Sequence, residues 1–186
     1  MSKRLSTADS ITGQATRWIV QQANWQGRPH LLTWLPAPFR PPRELTTQSY
    51  GVCFTEDGQI VLVSTDGAYW NLPGGHPEGD ETLEEALARE VWEAACAEVT
   101  ACEYLGCQRV EDPGSPDGLT VYYQARFWAR VHLGPFAPQF ERLHRRLVAP
   151  EKFLATLGWG DAPMARPILE LALACEACHR SEDHRV

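Results

Sequence analysis

No stretch of this 186-residue chain approaches the roughly 18 consecutive apolar residues of a membrane-spanning helix. Met1–Gly13 likewise lacks the apolar centre of a secretory signal, so a soluble, cytoplasmic protein is expected. Basic charge is not in excess either: 17 Lys and Arg stand against 24 Asp and Glu, a net of −7. That balance argues against a protein that coats nucleic acid or anionic membrane, while leaving room for a phosphorylated small molecule carried with a divalent cation. No internal repeat is visible. With 44% hydrophobic and 22% charged residues the composition is globular, and the length suits one domain with extensions. Six cysteines without an export signal read as reduced thiols rather than a disulfide framework.

The order of elements follows from pattern and punctuation. Residues 1–45 read as an extension containing a short helix over Ile11–Ala23, an apolar patch over Leu31–Leu35 and a Pro-rich connection over 36–42. The main domain is expected over 46–160. Ser49–Thr55 and Gln59–Ser64 are β-type runs around a Glu56-Asp57-Gly58 turn, and a third short apolar run, Tyr69–Leu72, ends at Pro73-Gly74-Gly75. Thr82–Ala97 reads as one helix, with Leu83, Leu87 and Val91 on one side and Thr82 and Glu85 at capping-box spacing. Val99–Val110 and Leu119–His132 are long strands around an Asp112–Gly118 loop. Phe140–Val148 is a strand or a short helix; Pro150–Leu157 and Met164–Ala177 are helices, the second leading into a C-terminal segment over 161–186.

The acidity is local. Residues 78–98 hold eight acids and one base, Arg89, a net of −7, whereas the other 165 residues carry 16 of each sign. On a helix Glu90, Glu93 and position 94 fall within an arc of about 100°. Glu90 and Glu93 side by side repel unless a cation lies between them, and hard oxygen ligands suit Mg²⁺ or Mn²⁺. A solvated acidic face is the plainer reading of such a helix taken alone. The glycine pair ahead of it lets the backbone turn sharply and present polar groups to a ligand, although Pro-Gly-Gly is also an ordinary turn.

The run Gly75-x5-Glu81-x7-Arg89-Glu90-Val91-x-Glu93, preceded by Leu72-Pro73-Gly74, resembles the Nudix box, G-x5-E-x7-R-E-U-x-E-E-x-G-U with U aliphatic. The resemblance in layout covers about 46–158 and implies an α/β/α sandwich with a mixed β-sheet. It implies a MutT-like pyrophosphatase that hydrolyses a nucleoside diphosphate joined to another group, with Mg²⁺ or Mn²⁺. It further implies that Glu90 and Glu93 hold the metal with the Gly74 carbonyl. Glu90 would also orient the attacking water, and Glu81 and Arg89 would pair to tie loop to helix. The sequence departs from the box at Ala94, where the family has a second Glu that is a principal metal ligand, and at Cys96, where it has Gly. Glu98 lies too far along to replace the missing acid. Reduced activity is one expectation; an inactive module that binds a nucleotide or a protein is the other.

Glu141 and Glu111 rank first as an extra acid from outside the box, ahead of Asp112 and Asp117, with a surface role as the plainer reading for each. Tyr122, Tyr123, Phe127 and Trp128 are expected to pack in the core rather than stack on a base. Arg109, Arg126 and Arg130 are candidates for phosphate, against the usual habit of strand arginines to snorkel to solvent. Cys175-Glu-Ala-Cys178-His179 has the spelling of a haem-attachment or, with His184, a zinc motif, but a plain helix end is the favoured reading. The N-terminal arm, with Trp18, Trp25 and Trp34, either covers its own domain or pairs with a second subunit as a homodimer.

Overall fold

A computed structural model describes residues 18–25, 27–138 and 142–183. Its centre is one mixed sheet of eight strands: β1 (Ile19–Trp25), β2 (Arg28–Pro36), β3 (Thr46–Phe54), β4 (Ile60–Ser64), β5 (Gly74–Gly75), β6 (Ala97–Glu111), β7 (Val121–Leu133) and β8 (His144–Val148). The spatial order is β1-β2-β6-β7-β3-β4-β8, with β5 added beside β3. Only β3 and β7 run parallel. Helix α1 (Leu83–Ala95) covers one face; α2 (Pro150–Thr156) and α3 (Ala165–Asp183) lie on the other.

Strand alternation produces this layering. Cys53, Val61, Val63, Phe127, Ala129 and Val131 face α1 and bury Leu83, Leu87 and Val91. Their neighbours Val52, Phe54, Leu62 and Trp128 face the other way, onto Phe153, Met164, Ile168 and Ala172. Phe127 and Trp128 are both fully buried on opposite faces, so core packing accounts for them. The expected α/β/α sandwich with a mixed sheet is what forms.

Two expectations need correction. The helix read over Ile11–Ala23 is strand β1 from Ile19 onward; residues 1–17 lie outside the described residues. The run IVQQANW alternates between half-buried and exposed positions, and pairing with β2 from Ile19↔Trp34 to Trp25↔Arg28 settles it as an edge strand. Residues 19–36, read as part of an extension, are thus two strands of the central sheet, joined to β6 through β2. The box helix also stops at Ala95, and Glu98 sits exposed on β6, paired with His132. Cys96 closes the helix at φ 49°, ψ 47°, a left-handed cap adopted without glycine.

Among the described residues no helix is long and apolar enough to cross a membrane. All six cysteines are free.

Candidate active site

The glycine turn is set by close packing on β3. Gly74 has φ +138°, and a Cβ there would sit 2.7 Å from Tyr50 Cα, so only glycine fits. Next to it, a Cβ on Gly75 would overlap the Glu90 carboxylate. The loop then enters α1 through a capping box: Glu85 N–H donates to Thr82 Oγ1 at 3.1 Å and Thr82 N–H to Glu85 Oε2 at 2.9 Å.

Arg89 binds the loop to the helix. Its Nε and Nη2 donate to Glu81 Oε1 and Oε2 at 2.8 and 3.0 Å, and Nη2 also donates to the His76 carbonyl at 2.8 Å. These bonds and the Glu78 N–H hold the Glu81 carboxyl well below the usual range, at about 2. From outside the box, Arg43 donates to the carbonyls of Glu81 (2.9 Å) and Gly79 (3.3 Å). Arg43 follows the Pro-rich connection, and nothing local in the sequence marks this role.

Glu90, Glu93, Gly74, Gly75 and Ala94 line one recess of about 300 Å³, together with Tyr50, His76 and Arg142. Arg89 Nη1 approaches Glu90 Oε1 at 3.2 Å and Glu93 Oε2 at 3.5 Å. Among the described residues, the other oxygen of each carboxylate accepts no hydrogen bond. Such a set, two carboxylates and a backbone carbonyl beside an open volume, fits one hard divalent cation whose shell is completed by phosphate and water. Position 94 offers only a methyl group, 5% exposed, at the pocket wall. Among the described residues no group of three His, Cys, Asp or Glu side chains converges for a metal.

The remaining candidates are dispersed. Glu111 pairs with Arg109 and lines a different recess with His30 and Pro29. Asp112 is buried and holds the β6–β7 loop to β2, accepting from Arg28 at 2.8 Å with His30 Nε2 at 3.3 Å. Glu141 and His184 lie outside the described residues. Arg142, next to Glu141, reaches the recess and donates to Thr65 Oγ1 at 3.1 Å. Cys175, Cys178 and His179 lie along α3, where His179 stacks on Trp128 at 4.2 Å and Cys178 is exposed.

A second cavity, of about 280 Å³, adjoins the first through Tyr50. Arg126 lines it, and the expectation that this arginine snorkels to solvent is wrong: it is 5% exposed. Gln48 and Gln124 line it from neighbouring strands, and Gln21 and Trp25 from β1. Sequence reading passed over these glutamines; the signal was their spacing of two from Tyr50 and Arg126, which places them on the same faces.

A family model described as NUDIX domain matches residues 46–167. A MutT-like protein of Streptomyces ambofaciens is 44% identical over 57 residues, 30% of this chain and 37% of that protein. Phosphatase NudJ of Escherichia coli (strain K12) is 69% identical over 40 residues, 20% of this chain and 26% of NudJ. The chain therefore spans well under half the length of these curated relatives. The pyrophosphohydrolase BsRppH of Bacillus subtilis superposes with a TM-score of 0.59 at 21% identity, covering 81% of this chain and 96% of its own. A NUDIX hydrolase from Nitrosomonas europaea gives 0.54 at 18% identity, covering 69% and 89%. At such identities the likeness is one of fold. The family match spans well over half of the chain and takes in the whole strand, loop and helix that carry Gly75, Glu81, Arg89, Glu90 and Glu93, so the chain belongs to the NUDIX family.

Proposed function

We propose that this protein hydrolyses the pyrophosphate bond of a nucleoside diphosphate linked to another group, using Mg²⁺ or Mn²⁺. The observation that carries the reading is the convergence of Glu90, Glu93 and Gly74 on one recess, with one oxygen of each carboxylate unengaged among the described residues. A divalent cation held there supplies neutralisation of phosphate charge and a more acidic bound water. Glu90, held against Gly75 and beside Arg89, orients the attacking water. Arg142 brings a guanidinium to the same recess, suited to a phosphate oxygen. The Glu81–Arg89 pair fixes the loop, so these groups need not reorganise on binding. The MutT-like, NudJ and BsRppH relatives support the reaction class through their names and fold.

Ala94 favours a second reading, a module that binds a nucleotide without cleaving it. The two separate in one experiment. Full-length protein is incubated with nucleoside triphosphates, ADP-ribose, dinucleoside polyphosphates, nucleotide sugars and coenzyme A derivatives at millimolar Mg²⁺ or Mn²⁺. Slow release of phosphate or nucleoside monophosphate is expected, reduced at least about 100-fold by Glu93→Gln and raised by Ala94→Glu. No hydrolysis by folded protein, with activity created by Ala94→Glu, establishes the binding module instead.

A further inference from the structure

The second cavity holds a buried charge that no carboxylate among the described residues neutralises. Arg126 donates to the Ala125 carbonyl at 3.1 Å and to Gln124 Oε1 at 2.9 Å, and its guanidinium lies 5.1 Å from the Tyr50 ring and 5.9 Å from that of Trp159. Among the described residues no carboxylate pairs with it, and its Nε has no acceptor. Burial lowers its pKa to about 10, which leaves it cationic at neutral pH. A cation taken out of water without an anion is costly unless something in the cavity compensates it. In the same cavity Gln21 Oε1 is buried without a donor. Arg126 and Gln21, which carry these two orphaned atoms, both line a space bordered by the rings of Trp25, Tyr69 and Trp159. The volume suits a single flat ring system.

We propose that this cavity recognises the lactam edge of an oxo nucleobase, the adjacent C=O and N–H shared by guanine, hypoxanthine and uracil, with Arg126 as its selecting residue. The proposal rests on the pyrophosphohydrolase reading and names the substrate class for it. A glutamine amide carries both a donor and an acceptor and turns to suit either type of base, so Gln48 and Gln108 do not discriminate, whereas Gln124 already commits its Oε1 to Arg126 and Gln21 keeps an acceptor for the lactam N–H. A guanidinium only donates. It favours a carbonyl oxygen, whereas the exocyclic amino group of adenine or cytosine would present donor against donor.

The sheet places this selector next to the box. Gly74, Tyr50 and Arg126 lie in register across β5, β3 and β7, two strand spacings or about 10 Å apart at the ends. A base in the second cavity therefore leads its phosphates past Tyr50 to Glu90 and Glu93. The remaining wall comes from Gln21, Trp25 and Leu32 of β1 and β2, which lie outside the matched region 46–167. The N-terminal hairpin thus completes a specificity pocket that the family domain does not build alone.

The test is calorimetric titration of full-length protein, without metal, with GMP, UMP, AMP and CMP, and with guanosine and adenosine to separate base from phosphate. GMP and UMP are expected to bind at least about 10-fold more tightly than AMP and CMP, guanosine keeping its advantage over adenosine. Arg126→Met should erase the preference. If that variant does not fold, Gln21→Leu, at the edge of the cavity, should weaken GMP several-fold and reduce the GMP-to-AMP ratio. Equal affinity for the four nucleotides, no binding at millimolar nucleotide, loss of the preference in the free nucleosides, or an unchanged ratio in the folded variants overturns the proposal. Because no turnover is measured, absence of hydrolysis removes the enzymatic reading without touching base selection. Failure of selection in an active enzyme removes only the present inference.

Discussion

Glu90 occupies the space directly over Gly75, so that any side chain at position 75 must displace its carboxylate. The backbone at Gly75, unlike that at Gly74, needs no left-handed conformation; what it needs is room. Gly75→Ala is therefore expected to move one of the two carboxylates of the recess while leaving α1 and the sheet intact. Turnover should fall about 100-fold, in line with the loss expected from an angstrom-scale misplacement. Mn²⁺ affinity, read by electron paramagnetic resonance, should weaken in parallel, with stability in urea changed by less than about 1 kcal/mol. Wild-type Mn²⁺ affinity in the variant would mean that Glu90 is not held by this contact.

The Glu81–Arg89 pair gives the protein a specific response to acid. Hydrogen bonds from Arg89, and then from the Glu78 N–H, hold the Glu81 carboxyl at about 2, below its ordinary value of 4.5. A carboxylate whose pKa is depressed by folding stabilises fully above its unfolded value and loses that contribution as pH falls through the folded one. The contribution of Glu81 is thus complete above about pH 4.5 and lost progressively towards about pH 2. Glu81→Gln should lower the urea midpoint at pH 7 and flatten its decline between pH 4.5 and 2. Parallel declines in the two proteins would show that other carboxylates govern acid unfolding.

The Glu81–Arg89 pair was legible through the resemblance to the box, whereas the contact of Glu90 with Gly75, fifteen residues earlier, left no signal in the sequence. Helical spacing alone brings Glu90 and Glu93 to one side of α1, and Thr82 and Glu85, three residues apart, mark its capping box. The long strands were legible for a similar reason: β6 and β7 carry dense β-forming residues around a loop whose composition could hardly be anything else. Strand β1 was not, since IVQQANW alternates too weakly to choose a period until β2 pairs with it. Arg126 was not either. A strand arginine looks alike whether its neighbours leave it in water or enclose it, and here Tyr50, Trp159 and the β1–β2 hairpin enclose it across more than 100 residues of sequence. The role of Arg43 depends equally on where the Pro-rich connection crosses the loop.

The end of α1 shows a compensated defect. Cys96 takes the left-handed conformation that glycine adopts most easily, at an expected cost of about 1 kcal/mol. Arg145, reaching over from β8, donates to the carbonyls of Ala95 (2.7 Å), Cys96 (3.3 Å) and Gly134 (3.1 Å). A cation at the helix C-terminus also opposes its dipole. Cys96→Gly should therefore raise stability by about 1 kcal/mol. Arg145→Ala should lower it by about 2 kcal/mol, as the loss of a charged donor to partly buried carbonyls requires. Urea midpoints of the two single variants and of the double variant would check both values, and a destabilised Cys96→Gly would refute the conformational argument.

Glu176 joins the C-terminal helix to the sheet through Trp128. Its Oε2 accepts from the indole Nε1 at 3.0 Å, while Oε1 accepts from Arg180 Nε at 2.6 Å and Arg130 Nη2 at 3.3 Å. Trp128 is fully buried, so truncating the acid leaves an indole N–H without its acceptor and removes the carboxylate from two cations. Glu176→Ala is expected to cost about 3 kcal/mol. Glu176→Gln retains an acceptor for the indole but gives up the charge, and should cost about 1 kcal/mol, since much of the penalty in the alanine variant comes from unsatisfied polar groups rather than from attraction between ions. Urea unfolding followed by near-ultraviolet circular dichroism, which reports the packing of Trp128, distinguishes the contributions. Equal losses in the two variants would assign the attachment of α3 to charge; a small loss for glutamine alone assigns it to the indole hydrogen bond.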